Sequence, residues 1–210
     1  MSYNKLLTDL DREYSQETIQ LMWDLCPDIM ARKFPRANVQ QAFVIDTVRD
    51  LLQGKVDPLL LSVGCYEDTA YEVLRKLGWS VIGIDPYTDV DLHTYARIQY
   101  RELFDCVFAT SVLEHVQNDE EFVDDMCKLI KRGGYGILTM DFNNDYKSGD
   151  RLPYTDVRFY TTHDLRVRLA DILYRNNCAL AQPYDYSGTP DFEYDGCTYS
   201  FAKFVFKKEL

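Results

Sequence analysis

The chain has 210 residues, of which 46% are hydrophobic and 27% are charged. No apolar run approaches the roughly 20 residues of a membrane-spanning helix, so the composition predicts one globular domain and excludes disordered, collagen-like and membrane-spanning classes. The net charge of -11 argues against nucleic acid as a partner. Because the amino terminus lacks a signal-peptide pattern and the six cysteines form no Cys-x-x-Cys pair, we expect a cytoplasmic protein without disulfides or a zinc site.

The first 57 residues are predicted to form a helical segment. Apolar residues recur at helical spacing from 15 to 32, with a break expected at Pro27, and again from 38 to 53. We therefore divide the single domain into an N-terminal helical cover, residues 1–57, and a core, residues 58–210.

From residue 58 onward, short apolar runs alternate with helical patterns. Strands are expected at 58–64, 79–85, 104–110 and 135–141, with helices at 68–77, 118–133 and 162–175. Because the runs are nearly continuous in apolar residues, we expect a parallel sheet covered by helices on both faces. Two last β-type runs, 178–184 and 198–207, are expected to close the sheet as an antiparallel hairpin.

Polar residues follow the predicted strands at the edge where such sheets bind ligands. Gly64 and Asp85 are 21 residues apart, the separation at which an acidic side chain meets ribose hydroxyls. The pair suggests a nucleoside ligand, although ordinary turn residues produce the same pattern. A nicotinamide-dependent oxidoreductase shares it too, but the Gly-x-Gly-x-x-Gly motif is missing and the closing hairpin argues against that class.

Four segments stand in a fixed order along the core. They are Leu61-Ser62-Val63-Gly64-Cys65, Gly83-Ile84-Asp85-Pro86, the run from Phe104 to Leu113-Glu114-His115-Val116, and the run from Leu129 to Leu138 with Gly133-Gly134. Together they resemble the class I S-adenosylmethionine-dependent methyltransferases over about residues 58–142. The resemblance implies an α/β, Rossmann-like three-layer sandwich with a mostly parallel seven-stranded sheet and a C-terminal antiparallel hairpin. It also implies S-adenosylmethionine as the cofactor.

The resemblance assigns cofactor contacts to eight residues. They are Gly64, Cys65 and Tyr66 at the methionine end, Asp85 at the ribose, Asp91 and Leu92 near the adenine, and Thr110 and Ser111 beside the sulfonium. Tyr66 and Asp68 stand where the family usually has glycines, which keeps open a degenerate fold that binds a partner without turnover. Because only 19 residues separate Asp85 from Asp105, the usual third βα unit is expected to be shortened.

Methyl transfer requires positioning and, for a hydroxyl acceptor, a base. His115 is the first candidate, since imidazole titrates near neutral pH, and Asp141 is the second. The polar residues at 143–145 could hold a hard cation, but a polar loop after a strand explains them equally, and no metal site is predicted. His93 and His163 are expected at the surface.

Residues 154–165 are similar to a segment of small methyltransferases that act in carbohydrate pathways. Arg158 is a candidate for binding an anionic substrate group, together with Tyr160, unless Arg158 pairs with a surface acid. We therefore expect methyl transfer to an oxygen or nitrogen of a small molecule, with a sugar-containing acceptor favoured. The sequence leaves the oligomeric state open, a homodimer included.

Overall fold

A computed structural model describes residues 3–210 of the chain, which form one mixed β-sheet between two layers of helices. The nine strands in these residues are β1 (Asn4–Leu7), β2 (Leu59–Val63), β3 (Ser80–Ile84), β4 (Phe104–Thr110), β5 (Ile130–Phe142), β6 (Cys178–Leu180), β7 (Tyr184–Asp185), β8 (Phe192–Tyr194) and β9 (Cys197–Lys208). Their spatial order is β3-β2-β4-β5-β9-β1-β7, and β6 and β8 also pair with β9. The four strands from β3 to β5 are parallel, whereas β9 runs antiparallel to β5.

The helices divide between the two faces of this sheet. They are α1 (Asp9–Tyr14), α2 (Gln16–Leu25), α3 (Pro27–Met30), α4 (Asn38–Leu51), α5 (Thr69–Lys76), α6 (Leu92–Ile98), α7 (Asp119–Leu129) and α8 (Leu169–Arg175). One hydrophobic core joins the sheet to α2 through α5, and the other joins it to α6 through α8. Leu60 enters the first core and Leu61 the second, because successive side chains of a strand point to opposite faces. The expected three-layer α/β architecture is confirmed.

The ends of the helices follow the capping residues that the sequence offers. Asn118 accepts a hydrogen bond from the backbone N–H of Glu121 at 3.3 Å and begins α7 as predicted. Asp68 accepts one from the backbone N–H of Tyr71 at 2.7 Å and begins α5. Pro27 separates α2 from α3, which matches the expected break. Within residues 3–210, no helix is long and apolar enough to cross a membrane.

The third βα unit is shortened, as the spacing between Asp85 and Asp105 predicts. Only the seven-residue helix α6 lies between β3 and β4, and this connection contains no additional strand. Strand β3 is consequently the edge of the sheet, and the side chain of Ile82 is 38% exposed. The expectation that residues 79–85 form a strand buried on both faces is therefore wrong, because Ser80 and Ile82, which point to the same face, are exposed.

The sheet has nine strands rather than the expected seven, and the differences from the expectation concern the strands that pair with β9. The expected hairpin reduces to three residues of β6, which pair antiparallel with the end of β9. The beginning of β9 pairs instead with β8 across a tight turn at 195–196. Near its middle, β9 also pairs with β1, a strand in the N-terminal segment that was expected to be helical.

Strand β1 is held by one buried polar side chain. The amide of Asn4 accepts a hydrogen bond from the backbone N–H of Val205 at 2.8 Å and donates to the carbonyl of Gln182 at 2.8 Å. Asn4 is fully buried, and its side chain bonds to β9 at Val205, between the residues of β9 that pair with β1 and those that pair with β6. The Asn4 side chain thus supplies the hydrogen-bond acceptor for the Val205 N–H that neither strand provides.

Replacing Asn4 with alanine is expected to lower the free energy of unfolding by about 2 to 4 kcal/mol, because buried backbone groups of Val205 and Gln182 lose their partner. Urea denaturation followed by circular dichroism measures this loss. Lys5→Ala is the matched control in the same strand, since Lys5 makes only a partly exposed ion pair with Asp11 at 3.4 Å. Equal effects of the two substitutions would contradict the assignment.

Candidate active site

A cavity of about 780 Å³ lies where strands β2, β3 and β4 end, a volume typical of small-ligand sites. Of the residues assigned to the site from sequence, it is lined by Gly64, Tyr66, Asp85, Asp91, Leu92, Thr110, Ser111 and His115. Four others, Cys65, Asp141, Arg158 and Tyr160, do not line it. The fold thus brings most of the predicted cofactor residues to one place and leaves three of the expected catalytic or substrate residues outside.

The turn after β2 has a conformation that requires glycine. Gly64 has a φ of 79°, and a Cβ at this position would lie 2.5 Å from Cγ2 of Val112. The backbone N–H groups of Gly64 and Cys65 both donate to the carbonyl of Ile84, at 2.9 and 3.1 Å. The thiol of Cys65 packs towards Gly83 rather than the cavity. Cys65 therefore contributes backbone only, and its side chain does not face a ligand.

Asp85 organises the rim of the cavity. Its buried carboxylate accepts hydrogen bonds from the backbone N–H of Tyr66 at 3.1 Å and of Tyr87 at 2.8 Å. The rings of Tyr66 and Tyr87 lie 5.9 Å apart between centroids and are 57% and 88% exposed. The bulky Tyr66 that replaces a glycine of the family pattern thus turns outward to the rim, and the cavity stays open.

A polar wall lies across the cavity from this rim. Asp68 and Thr110 are buried and line the cavity, and the Thr110 hydroxyl lies close enough to the Asp68 carboxyl to lower its pKa through a hydrogen bond. Burial raises the pKa of Asp68 to about 6. Lys33, from the segment between α3 and α4, also lines the cavity and lies close enough to Asp68 to oppose that rise. Lys33 was missed from sequence, since no motif surrounds it.

The wall beside α6 and α7 is largely apolar. Leu92 and Phe122 are buried and line the cavity, while Asp91 caps α6 by accepting from the backbone N–H of Thr94 at 2.9 Å. His93 is exposed as expected, with its side chain 44% accessible; it also lines the cavity, and its Nδ1 lies 2.9 Å from Asp125 Oδ2. The short third unit brings α6 against α7 and so places His93 beside Asp125.

The turn after β4 carries a strained residue and a buried acid. Ser111 has a φ of 55°, unusual for a residue with a side chain, and its hydroxyl donates to Glu114 Oε1 at 2.6 Å. Glu114 is fully buried, and burial raises its pKa. Gln40 of α4 lies on the other side of Ser111, with Nε2 3.4 Å from the hydroxyl. Glu114 thus fixes the turn from beneath.

His115 lies at the mouth of the site in the position expected, but its ionisation differs from the expectation. Nδ1 is 3.1 Å from Asp156 Oδ1 and 3.1 Å from the carbonyl of Thr155. Burial alone would lower the pKa, but the hydrogen bond to Asp156 and the charges of Glu114 and Asp156 raise the pKa of His115 to about 9. At neutral pH the ring is an imidazolium, so the assumption of an ordinary imidazole is wrong.

Asp141 does not occupy the position of a base. Its carboxyl is buried behind the cavity, and burial together with the charges of Glu114 and Asp156 raises its pKa well above the usual range. A carboxyl that does not reach the cavity is badly placed to accept a proton from an acceptor molecule there, and a raised pKa favours its protonated form. In residues 3–210, no group of three or more metal-ligating side chains is arranged for a metal ion.

Arg158 and Tyr160 bind the protein itself. Arg158 forms an ion pair with Asp119 at 3.0 Å and donates to the carbonyl of Gln117 at 2.7 Å. Tyr160 is fully buried, and its hydroxyl donates to Asp119 Oδ2 at 2.8 Å. The assignment of both residues to substrate binding is not supported by their placement, because Asp119 already holds the charged and polar groups that a substrate would need.

Comparisons with known proteins agree with this geometry. A family model described as "Methyltransferase domain" matches residues 36–178, which is more than half of the chain. The human protein named "Ubiquinone biosynthesis O-methyltransferase, mitochondrial" is 36% identical over 123 residues, covering 46% of this chain and 32% of the human protein. The chain therefore spans about a third of the length of that relative.

Solved methyltransferases share the fold. A SAM-dependent methyltransferase from Archaeoglobus fulgidus superposes with a TM-score of 0.55 at 13% identity, over 80% of this chain and 94% of that chain. The 1,6-didemethyltoxoflavin-N1-methyltransferase of Burkholderia thailandensis, solved with S-adenosylhomocysteine bound, gives 0.53 at 11% identity, over 96% and 90%. At these identities the likeness shows the fold alone. The family match over residues 36–178 is the stronger result, and the chain belongs to this methyltransferase family.

Proposed function

We propose that the chain is an S-adenosylmethionine-dependent O-methyltransferase whose acceptor is a hydroxyl group of a small molecule. The observation that carries the proposal is that one cavity brings the Gly64 turn, Asp85 and His115 together. The name of the human relative supports oxygen as the methylated atom. No comparison favours the sugar acceptor that the segment at 154–165 suggested, so we leave the acceptor at a small-molecule hydroxyl.

The residues of the cavity fit the cofactor in their chemistry. Asp85 presents a buried carboxylate for the ribose hydroxyls, and the turn at Gly64 lets backbone approach the methionine end. The carboxyl of Asp68 and the hydroxyl oxygen of Thr110, both buried in the cavity wall, supply acceptors for an ammonium group, and Lys33 supplies a cation for a carboxylate. We assign the apolar wall of Leu92 and Phe122, with Asp91 at its edge, to the adenine.

The N-terminal segment belongs to this site. Lys33 lines the cavity, and the guanidinium of Arg32 lies 3.0 Å from the carboxylate of Glu67 on the turn after β2. These contacts support the division into a cover, residues 1–57, and a core, residues 58–210, with the cover closing one side of the cofactor site.

When bound, S-adenosylmethionine supplies an electrophilic methyl group on a sulfonium with a good leaving group. The protein then has to orient the acceptor oxygen and remove its proton. His115 is the group at the cavity mouth that can do so, through Nε2, because Nδ1 is engaged by Asp156 and Thr155. Ser111, fixed by Glu114, forms the wall beside it.

The pH dependence of methyl transfer tests the role of His115. Because only the neutral imidazole accepts a proton, kcat/KM should rise about tenfold per pH unit up to pH about 9, the pKa of His115, and level off above it. His115→Gln should lose this dependence and about 10² to 10⁴ in rate. Ionisation of the acceptor contributes equally to the pH profiles of both proteins when the same acceptor is used, so it does not affect their comparison. A rise that persists in His115→Gln would contradict the assignment.

Cofactor binding is tested by thermal shift and calorimetry with S-adenosylmethionine, S-adenosylhomocysteine and NAD in parallel. A ligand at 100 times its dissociation constant adds about 2.7 kcal/mol to stability. Selective stabilisation by the two adenosyl compounds supports the proposal. No response to them would favour the degenerate fold that binds a partner without turnover.

The acceptor is tested by incubation with S-adenosylmethionine radiolabelled at the methyl group. Catechol, methyl glucoside and benzylamine serve as probes for a phenolic hydroxyl, a sugar hydroxyl and an amine. We expect label on one of the two hydroxyl probes. Label on benzylamine alone would overturn the choice of oxygen.

A further inference from the structure

A loop far along the chain is clamped onto the turn that carries His115. The backbone N–H of Val157 donates to the carbonyl of Glu114 at 2.9 Å, and the hydroxyl of Tyr160, which donates to Asp119, also lies 3.2 Å from the carbonyl oxygen of Leu113. Arg158 adds its hydrogen bond to the carbonyl of Gln117. Residues 157–160 therefore lie against the turn at 113–117, and Asp156 is brought to the side of the imidazole.

In the ion pair between Asp156 and His115, one side chain is buried and the other is partly exposed. The Asp156 side chain is 3% exposed, whereas that of His115 is 40% exposed. The carboxylate thus lies inside and the ring reaches outward, with Nδ1 against Asp156 and the carbonyl of Thr155. Since both partners of Nδ1 accept a proton, Nδ1 carries one, and Nε2 is the nitrogen left for the cavity.

Other ionisable groups surround this pair. They are Glu114 on the same turn, Asp141 at the end of β5, Tyr199 on β9 and Arg158 in the clamped loop. Burial raises the pKa of Asp141 and of Tyr199, which makes both poorer sources of negative charge beside the ring than an ordinary carboxylate. Arg158 is directed to Asp119. Asp156 is consequently the acid in direct contact with the imidazole ring.

We infer that Asp156 is a positioning residue for His115: it fixes the proton on Nδ1 and holds the ring so that Nε2 faces the acceptor. The catalytic consequence of this inference rests on the proposed function. The contact between Asp156 and His115 is independent of it, because the titration of His115 can be measured without an acceptor. No motif marks Asp156 in the sequence, and it lies 41 residues from its partner.

The test is Asp156→Asn, followed by NMR titration of the histidine side chains. The chain has three histidines, and the signal of His115 is identified by its loss in His115→Gln. In the unaltered protein it should titrate near pH 9. In Asp156→Asn the pKa should fall by at least about one unit, since a charge and a charge-assisted hydrogen bond are removed. Asp145→Asn, an exposed acid of the same loop region, is the control and should leave the titration unchanged.

The catalytic consequence is read from the pH profile of methyl transfer. In Asp156→Asn the rising limb should move to lower pH together with the titration, and the plateau should fall about tenfold or more because the ring is less well oriented. Asp156→Glu should restore part of the plateau rate and move the rising limb part of the way back. A loss of rate at every pH with an unmoved titration would mean a structural role only and would overturn the inference.

The two proposals fail in different ways. If the titration moves but S-adenosylhomocysteine does not bind by calorimetry, the contact is right and the proposed function is wrong. If S-adenosylhomocysteine binds and the titration of His115 does not move in Asp156→Asn, the inference is wrong and the function stands. If Asp156→Asn does not fold, as judged by circular dichroism, the histidine titration is repeated with Asp156→Glu. The pKa of His115 should then also shift, because the longer side chain displaces the carboxylate.

Discussion

Replacing Asp85 with alanine should weaken the binding of S-adenosylhomocysteine by about 30- to 100-fold, as measured by calorimetry. A hydrogen bond to a charged group contributes about 1.5 to 3 kcal/mol, and each 1.4 kcal/mol changes the affinity about tenfold. The carboxylate also holds the backbone N–H groups of Tyr66 and Tyr87, so its loss loosens the rim at the same time. Both effects act against the ligand.

Asp89→Ala is the matched control, because Asp89 is exposed in the same loop and its side chain makes no contact with the cavity wall. Its affinity for S-adenosylhomocysteine should stay within about twofold of the unaltered protein. Asp85→Asn separates the two effects, since the amide oxygen can keep one backbone hydrogen bond while the charge is lost. Full affinity in Asp85→Ala would show that the ribose assignment is wrong.

The central part of the fold could be predicted because its signals are local. The strand at 59–63 ends in a glycine that the turn requires, and α7 begins at a residue with a capping side chain. Strand β1 gives no such signal. It has four residues, and its partners on β9 lie almost 200 positions away, so only the tertiary structure explains why Asn4 is buried there.

The candidate site divides in the same way. Topology places strand ends together, so Gly64 and Asp85 could be singled out from their positions after apolar runs, whereas Ser111 came from the family resemblance; all three line the cavity. Lys33 enters the cavity from a loop without any pattern of its own. Arg158 and Tyr160 were misassigned because the sequence does not reveal Asp119 as their partner.

Ionisation is the property that sequence reasoning describes least well. A reference pKa for histidine assumes solvent around the ring, whereas His115 lies against Asp156 from a distant loop. For Asp141, burial near two other carboxyl groups raises the pKa well above the usual range. In both cases long-range neighbours decide the charge.

Asp119 is a buried acid whose loss should lower the stability of the fold substantially. Its buried carboxylate binds Arg168 at 2.7 Å, Arg158 at 3.0 Å and the hydroxyl of Tyr160 at 2.8 Å. Burial would raise its pKa, but Arg168 and Tyr160 lower it below the usual range. A lowered pKa stabilises the fold above the carboxyl's ordinary pKa, and this stability is lost as the pH falls through the folded-state pKa.

Asp119→Ala should lower the free energy of unfolding by about 3 kcal/mol at pH 7, because two guanidinium groups and a buried hydroxyl lose their acceptor. For a protein of this size that corresponds to a fall in Tm of about 10 °C. Glu120→Ala is the control, since Glu120 is half exposed and meets Arg168 at 3.4 Å, and it should cost about 1 kcal/mol or less. The difference between the two variants should shrink as the pH falls through the lowered pKa of Asp119. If both variants melt alike at pH 7, Asp119 does not hold the loop at 157–160 against the turn of His115.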